Sequence, residues 1–151
     1  MTESIYKNYT QQTLDNEYNN REKVKNYKNF VSEWAALSAT ARDEFPKTIT
    51  CTYDEKSQQQ LDLVYPATAS QSAMPVQIFF HGGYWSAMSR ENFYFVARAF
   101  ADHGIATAIV DYELIPIIHM AELIRQCRQS VAYIYQNAEK LGLDNANIHV
   151  S

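Results

Sequence analysis

The sequence is poor in the residues that build metal sites, disulfide frameworks and phosphate-binding loops. Among its 151 residues only Cys51 and Cys127 are cysteines, too few for a disulfide framework and too widely spaced for a metal motif. Only four glycines are present, and none of them forms the Gly-x-Gly-x-x-Gly pattern of nucleotide-binding loops. The sequence therefore predicts neither a disulfide-stabilised secreted scaffold nor a bound metal or other cofactor.

Long hydrophobic runs and an excess of basic charge are missing as well. The longest apolar runs, 76–80 and 105–110, are far too short to cross a bilayer. The formal net charge is -4 at pH 7, which argues against general nucleic-acid binding. The first residues lack the basic and apolar segments of a signal peptide. We therefore expect a cytoplasmic protein with neither a nucleic-acid partner nor a membrane partner.

What is present is the composition of a globular protein, with 46% hydrophobic and 20% charged residues. Residues 1–20 are rich in Asn, Gln, Tyr and Thr without a period, which predicts an irregular arm. An amphipathic helix is expected from Asn19 onward, because Val24, Tyr27, Trp34 and Leu37 fall on one face. A packing helix is the favoured interpretation, and a lid over a pocket is the alternative.

The remaining segments alternate between strand and helix patterns. Helices are predicted from Ser89 to a stop at Gly104, and from Met120 to a stop at Gly142. Buried strands separated by helices imply crossover connections and a parallel sheet, to which the first two strands add an antiparallel hairpin. The five predicted strands are 47–53, 61–65, 76–80, 105–110 and 147–151. Residues 54–60 connect the hairpin, and 67–75 form a loop.

The segment that carries chemistry is His81-Gly82-Gly83-Tyr84-Trp85, directly after the strand 76–80. Two glycines at the carboxyl end of a buried strand let the backbone turn sharply, where open α/β proteins bind their ligands. Backbone N–H groups exposed there can stabilise a developing negative charge. The alternative is a tight turn with two packed aromatic side chains.

These segments resemble the esterase and lipase branch of the α/β-hydrolases, closest to the arylformamidase (kynurenine formamidase)-like and carboxylesterase-like proteins. The matching segments are 61–66, 81–85, 111–116 and the helix 122–137. Tyr53-Asp54 stands where the family often has Tyr-Gly. The resemblance implies an α/β fold with a mostly parallel sheet and an antiparallel first hairpin, truncated after the fifth strand. It places the strand 105–110 between 61–65 and 76–80. It also implies an N-terminal arm and helix over 1–45, and the N-terminal half of a hydrolase domain over 46–151.

The resemblance also implies roles for the loop. The backbone N–H groups of Gly83 and Tyr84 would form the oxyanion hole, supported by His81 and Gly82, and Trp85 would bind substrate. In this fold the nucleophile follows the fifth strand on a Gly-x-Ser-x-Gly elbow, and the acid and the histidine come later. All three therefore lie beyond Ser151.

Other polar candidates are assigned structural roles. Asp111 follows a strand and, through the resemblance, belongs to a structural turn. His103, His119 and His149 have no triad partner within the chain, because every triad member would lie downstream. Cys127 lies on the apolar face of its helix and is expected in the core.

The expected function is a serine hydrolase of carboxylic esters or aryl formamides, acting on a small molecule through an acyl-enzyme. An aromatic substrate such as N-formylkynurenine suits the aromatic lining, and residues 1–151 alone are expected to be inactive. Two other interpretations stay open, a non-catalytic small-molecule-binding module and a regulatory hydrolase-like domain. A homodimer also stays open.

Overall fold

A computed structural model describes residues 3–45, 47–67 and 73–151 of the chain. The chain divides into two compact units, Met1–Glu33 and Trp34–Ser151. No helix in the described ranges has both the length and the apolar character needed for a membrane crossing. Most of the loop predicted for 67–75 lies outside the described residues.

The first unit contains the short helices α1 (Gln11–Tyr18) and α2 (Asn20–Lys23). The prediction of an irregular arm over 1–20 missed α1. This helix begins at Thr10, where the side chains and N–H groups of Thr10 and Thr13 form a reciprocal capping box. None of its residues is buried. Because a helix without a buried face needs no apolar stripe, the sequence gives no periodic signal for α1.

Helix α3 spans Tyr27–Glu44. The single helix predicted from Asn19 is wrong, because the chain leaves helical geometry between α2 and α3. Val24 is extended and Asn26 has a φ of 61°. The predicted apolar face is also wrong, because the residues that α3 buries are Ser38 and Ala41.

The sheet has five strands in the order β1-β2-β4-β3-β5. Pairing is antiparallel between β1 and β2 and between β2 and β4, and it is parallel between β3 and both β4 and β5. Only β2 therefore runs against the other strands. The predicted mostly parallel sheet, its antiparallel first hairpin and the position of β4 between β2 and β3 are confirmed. The strands are β1 (Lys47–Asp54), β2 (Gln59–Tyr65), β3 (Met74–Phe80), β4 (Ala106–Val110) and β5 (Leu143–Val150).

The segment between β3 and β4 differs from the predicted helix. Ser89 does begin a helical segment, but two 3-10 turns, Arg90–Asn92 and Tyr94–Ala97, precede the short helix α4 (Arg98–Ala101). Phe93 interrupts the segment with a φ of -128° and packs against Phe79, with ring centroids 5.6 Å apart. In addition, the Asn92 side chain accepts a hydrogen bond from the Ser89 N–H at 3.1 Å. These two contacts explain why no continuous helix forms.

Helix α5 (Met120–Leu141) ends where the sequence predicts. Gly142 has a φ of 69° and its N–H bonds to the carbonyls of Ala138 and Glu139, which is a left-handed helix cap. Side chains on the α5 face of the sheet form the larger core, including Leu61, Leu63, Ile78, Ile134 and Ala138. Val64 and Ile109 belong to a second core with Phe93 and Tyr94, so both faces of the central strands are buried.

Candidate active site

The candidate site is the loop that follows β3, residues 81–89, which we call the donor loop. Its turn depends on Gly83, which has a φ of 125°. A Cβ atom at this position would lie 2.1 Å from the carbonyl oxygen of Ala87, so a side chain cannot fit without moving the backbone. Tyr84 and Trp85 follow with φ values of 55° and 58°. Three consecutive left-handed residues therefore bring the chain across the carboxyl end of the strand.

Two adjacent N–H groups of the donor loop are free. Within residues 3–45, 47–67 and 73–151, neither the Gly83 N–H nor the Tyr84 N–H donates a hydrogen bond. The Gly83 carbonyl, in contrast, accepts a hydrogen bond from the Ser86 N–H at 3.2 Å and closes the turn. Backbone donors without an internal partner are satisfied by water or by a ligand. The Gly82 and Trp85 N–H groups also donate no hydrogen bond within these ranges, so the loop leaves a run of neighbouring donors, Gly83 and Tyr84 among them, available to an acceptor.

His81 anchors the start of the donor loop. Its buried ring stacks on Tyr112 with centroids 4.4 Å apart and faces Phe93 at 5.8 Å. The Nδ1 atom lies 2.8 Å from the Gly82 carbonyl oxygen, a distance at which Nδ1–H donates. The hydroxyl of Tyr112 donates to the His81 carbonyl. The histidine ring thus contacts the backbone of the loop at Gly82, and its role as a support of the loop stays a prediction.

The two aromatic side chains of the donor loop are accessible. Tyr84 is 60% exposed and Trp85 is 45% exposed, and their ring centroids lie 5.2 Å apart. The Trp85 carbonyl accepts a hydrogen bond from the Ile115 N–H at 2.8 Å, which ties the middle of the loop to the segment after β4. The pair therefore offers apolar surface next to the free N–H groups, instead of packing into the core.

A network of charged side chains lies at the end of the donor loop. The carboxylate of Asp62, in β2, is buried and accepts hydrogen bonds from Arg90 Nε at 2.7 Å and Thr50 Oγ1 at 2.6 Å, and also from the Tyr94 hydroxyl. Burial by itself raises the pKa of the Asp62 carboxyl, but the hydrogen bonds from these three side chains hold the pKa below its ordinary value. Asp62 is therefore a structural anion and not a proton donor.

Asp111 completes this network, which fits the structural role that the resemblance implies. Its carboxylate accepts the Arg90 N–H at 2.8 Å and also pairs with the Arg90 guanidinium. Its carbonyl accepts the Tyr53 hydroxyl at 2.6 Å. Sequence reasoning missed Arg90, because nothing in the local pattern joins it to carboxylates 21 and 28 positions away.

The other candidates provide no nucleophile. Burial raises the pKa of the Cys127 thiol to about 11, so it stays protonated at neutral pH. The Ser151 hydroxyl accepts a hydrogen bond from Gln77 Nε2 at 2.8 Å, and its backbone pairs with Ile78 at the end of β5. Across the ranges that the structure describes, no group of three His, Cys, Asp or Glu side chains is arranged to hold a metal ion.

The proteins to which this chain is similar include a formamidase and esterases. Kynurenine formamidase of Danio rerio is 32% identical over 106 residues, which cover 70% of this chain and 36% of the relative. A probable isoprenylcysteine alpha-carbonyl methylesterase of Oryza sativa subsp. japonica is 28% identical over 98 residues, which cover 65% of this chain and 23% of the relative. The hyperthermophilic esterase of Pyrobaculum calidifontis superposes with a TM-score of 0.70 at 22% identity, over 82% of this chain and 40% of the esterase. The chain spans less than half the length of each of these proteins.

The family model named BD-FAE matches residues 61–151, from β2 through the donor loop to the end of β5. This match covers more than half of the chain. The fold of the chain, a five-stranded mixed sheet with helices, matches that of the esterase structures it resembles. The chain therefore belongs to the BD-FAE family, within the esterase and lipase branch of the α/β-hydrolases.

Proposed function

We propose that this chain supplies the oxyanion-stabilising half of a serine hydrolase that cleaves carboxylic esters or aryl formamides. The observation that carries the proposal is the pair of free N–H groups of Gly83 and Tyr84, at the carboxyl end of a central parallel strand. Only glycine fits at the first of these two positions. A loop built in this way matches the requirement for donors that are in place before charge develops.

The proposed reaction proceeds in two acyl-transfer steps. A serine beyond Ser151 attacks the substrate carbonyl carbon while a histidine takes the hydroxyl proton, and the carbonyl oxygen becomes an oxyanion. The N–H groups of Gly83 and Tyr84, with one from the residue after the serine, stabilise that oxyanion. Collapse expels the alcohol or the aryl amine, which takes the proton from the histidine. Water then hydrolyses the acyl-enzyme and releases the carboxylic acid or formate.

The accessible aromatic pair favours a substrate with an aromatic or broad apolar group. Tyr84 and Trp85 lie beside the donors and expose enough ring surface to contact such a group. The relationship to kynurenine formamidase supports an aryl formamide, with N-formylkynurenine as the leading substrate. The relationship to the methylesterase supports carboxylic esters as the second substrate class.

Residues 1–151 by themselves are proposed to be inactive. Stabilising an oxyanion accelerates acyl transfer only when a nucleophile forms it, and neither Cys127 nor Ser151 is an activated nucleophile. The test compares purified 1–151 with the longer polypeptide that carries the nucleophile elbow. Both are assayed with p-nitrophenyl acetate and N-formylkynurenine, and intact mass establishes which polypeptide is present.

Turnover by the longer polypeptide and none by 1–151 is the expected result. Hydrolysis by a homogeneous preparation of 1–151 would contradict the assignment of the nucleophile. If the longer polypeptide binds a formamide or an ester without turnover, the protein is instead a small-molecule-binding or regulatory hydrolase-like protein. Calorimetry with formanilide measures that binding directly.

A further inference from the structure

The donor loop is held at three points by the segment that follows β4, residues 111–115. At the start of the loop, the Tyr112 hydroxyl donates to the His81 carbonyl. In the middle, the Ile115 N–H donates to the Trp85 carbonyl at 2.8 Å. At the end, the Asp111 carboxylate binds Arg90, the first residue after the loop. The free N–H groups of the loop thus lie between fixed ends.

Arg90 is the most connected of these attachments. Its side chain is 17% exposed, and its Nε donates to the Asp62 carboxylate at 2.7 Å. The guanidinium also pairs with Asp111 and reaches Gln60 Oε1 at 3.3 Å through Nη2. Its own N–H donates to Asp111 at 2.8 Å. A planar guanidinium with several fixed donors can join two carboxylates in this way, whereas an ammonium group cannot hold the same geometry.

The loop needs such attachments because its backbone conformation is unfavourable. Tyr84, Trp85 and Met88 are not glycines, yet all three have positive φ values. A non-glycine residue in this region is strained and persists only where the surroundings enforce the conformation. If an end of the loop is released, the chain relaxes toward ordinary φ values, and the N–H groups at Gly83 and Tyr84 turn away.

We propose that Arg90 is a positioning residue for the oxyanion donors. By joining Asp62 in β2 to Asp111 after β4, it fixes the end of the donor loop and thereby holds in place the backbone that carries the two N–H groups. This inference rests on the proposed function for its catalytic consequence, but the positioning itself is measurable without turnover. The buried Asp62 serves as the fixed base of the network, because β2 pairs with both β1 and β4.

The test uses Arg90→Met, which keeps much of the side-chain volume and removes the guanidinium. Arg98→Met is the matched control. Arg98, in α4, forms a two-point ion pair with the Glu44 carboxylate through Nε at 2.7 Å and Nη2 at 2.8 Å. Amide hydrogen exchange is measured for residues 82–89 and for β3 and β4. The kcat and KM values for p-nitrophenyl acetate are measured in the polypeptide that carries the nucleophile.

For Arg90→Met we expect faster exchange of the hydrogen-bonded Ser86 and Ser89 N–H groups with no change in β3 and β4, and a fall in kcat of about 100-fold with a much smaller change in KM. Donors that act only in the transition state lower kcat and leave KM nearly unchanged, and unchanged exchange in β3 and β4 separates this effect from a general loss of stability. Arg90→Lys keeps the charge without the planar geometry and should recover only part of kcat. Arg98→Met should leave the exchange of residues 82–89 and both constants unchanged.

Asp111→Asn is the second variant in case Arg90→Met does not fold, because it keeps the acceptor for the Arg90 N–H and removes the charge. The inference is overturned if a folded Arg90 or Asp111 variant keeps both the wild-type exchange of the loop and the wild-type kcat. It is also overturned if exchange rises equally in β3, β4 and the loop. If the wild-type polypeptide shows no turnover, the proposed function fails. Loop exchange still decides whether Arg90 positions the donors.

Discussion

The donor loop after β3 and the turn after α5 both depend on a glycine with positive φ, but different forces fix them. At Gly142 there is open space around the missing Cβ, and the residue caps a helix whose buried side chains, Ile134 and Ala138, fix its place. At Gly83 the space is blocked by the backbone, and the loop is held by hydrogen bonds and ion pairs. Apolar burial therefore positions the elements of this fold, whereas polar contacts position the groups proposed to act on substrate.

The largest effect on stability is expected from the charged network. Asp62→Ala leaves the mostly buried Arg90 guanidinium and the buried Tyr94 hydroxyl without their shared acceptor, and we expect a loss of about 3–5 kcal/mol in the free energy of unfolding. The control is Glu44→Ala, which breaks an exposed pair with Arg98 and should cost about 0–1 kcal/mol. Urea unfolding measures both. Equal costs would mean that the network contributes no more than a surface pair.

The contribution of apolar burial to stability is tested at Ile134. Replacing this fully buried side chain in Ile134→Ala removes contacts between α5 and the sheet, with an expected loss of about 2–5 kcal/mol. The neighbouring Tyr135 is 58% exposed, so Tyr135→Ala should change stability by about 0.5 kcal/mol or less. In Ile134→Ala the amide exchange rate of the donor loop should rise only by the amount that the lower stability of the whole protein causes. A selective rise in the loop would contradict the division between apolar and polar support.

The donor loop itself is tested by Gly83→Ala. The added Cβ meets the Ala87 carbonyl, so the loop must shift and the N–H groups must leave the position proposed for oxyanion binding. We expect kcat of the intact hydrolase to fall on the order of 100-fold, as for loss of an oxyanion donor. Gly104→Ala is the control, because Gly104 also has a positive φ (70°) but has open space around it. Full turnover in a folded Gly83→Ala variant would remove the loop from the mechanism.

The network also predicts how stability depends on pH. The folded protein holds the pKa of Asp62 below the value of about 3.9 that an unfolded aspartate has. The resulting stabilisation is therefore fully present above about pH 4 and is lost as the pH falls through the lower folded pKa. Unfolding free energies measured from about pH 6 to about pH 3 should fall less steeply in Asp62→Asn than in the wild type. If unfolding free energy falls equally steeply with pH in both proteins, other carboxylates account for the loss of stability in acid.

The smallest effect is expected at the helix cap. In Gly142→Ala the methyl group meets no atom, and the cost is only that of a left-handed alanine, about 1 kcal/mol. Gly142→Asn should cost less, because asparagine tolerates this conformation better. Thermal unfolding resolves both variants. A loss of unfolding free energy near that expected for Ile134→Ala would show that the turn contributes more to stability than the capping of α5.

The sheet was predictable because local patterns and chain order both indicate it. Apolar runs at 76–80 and 105–110 predict buried strands, and the helices between them demand parallel neighbours. The stops at Gly104 and Gly142 were equally visible, since glycine accepts the left-handed conformation that ends a helix. The helix predicted from Ser89 failed because Phe93 packs into the second core and interrupts the helix. Local propensity does not include that long-range contact.

The sequence by itself determined where the buried strands lie along the chain and which of them the His-Gly-Gly-Tyr-Trp segment follows, because apolar periodicity and that segment are local properties of the chain. The order of the strands in the sheet was predicted only through the family resemblance. Only the tertiary structure decided what holds that loop in place. Asp62, Arg90 and Asp111 lie far apart in sequence and meet because β2 and β4 are neighbours in the sheet. An ion pair depends on the distance between its charges in space, and that distance is fixed only after the strands have paired.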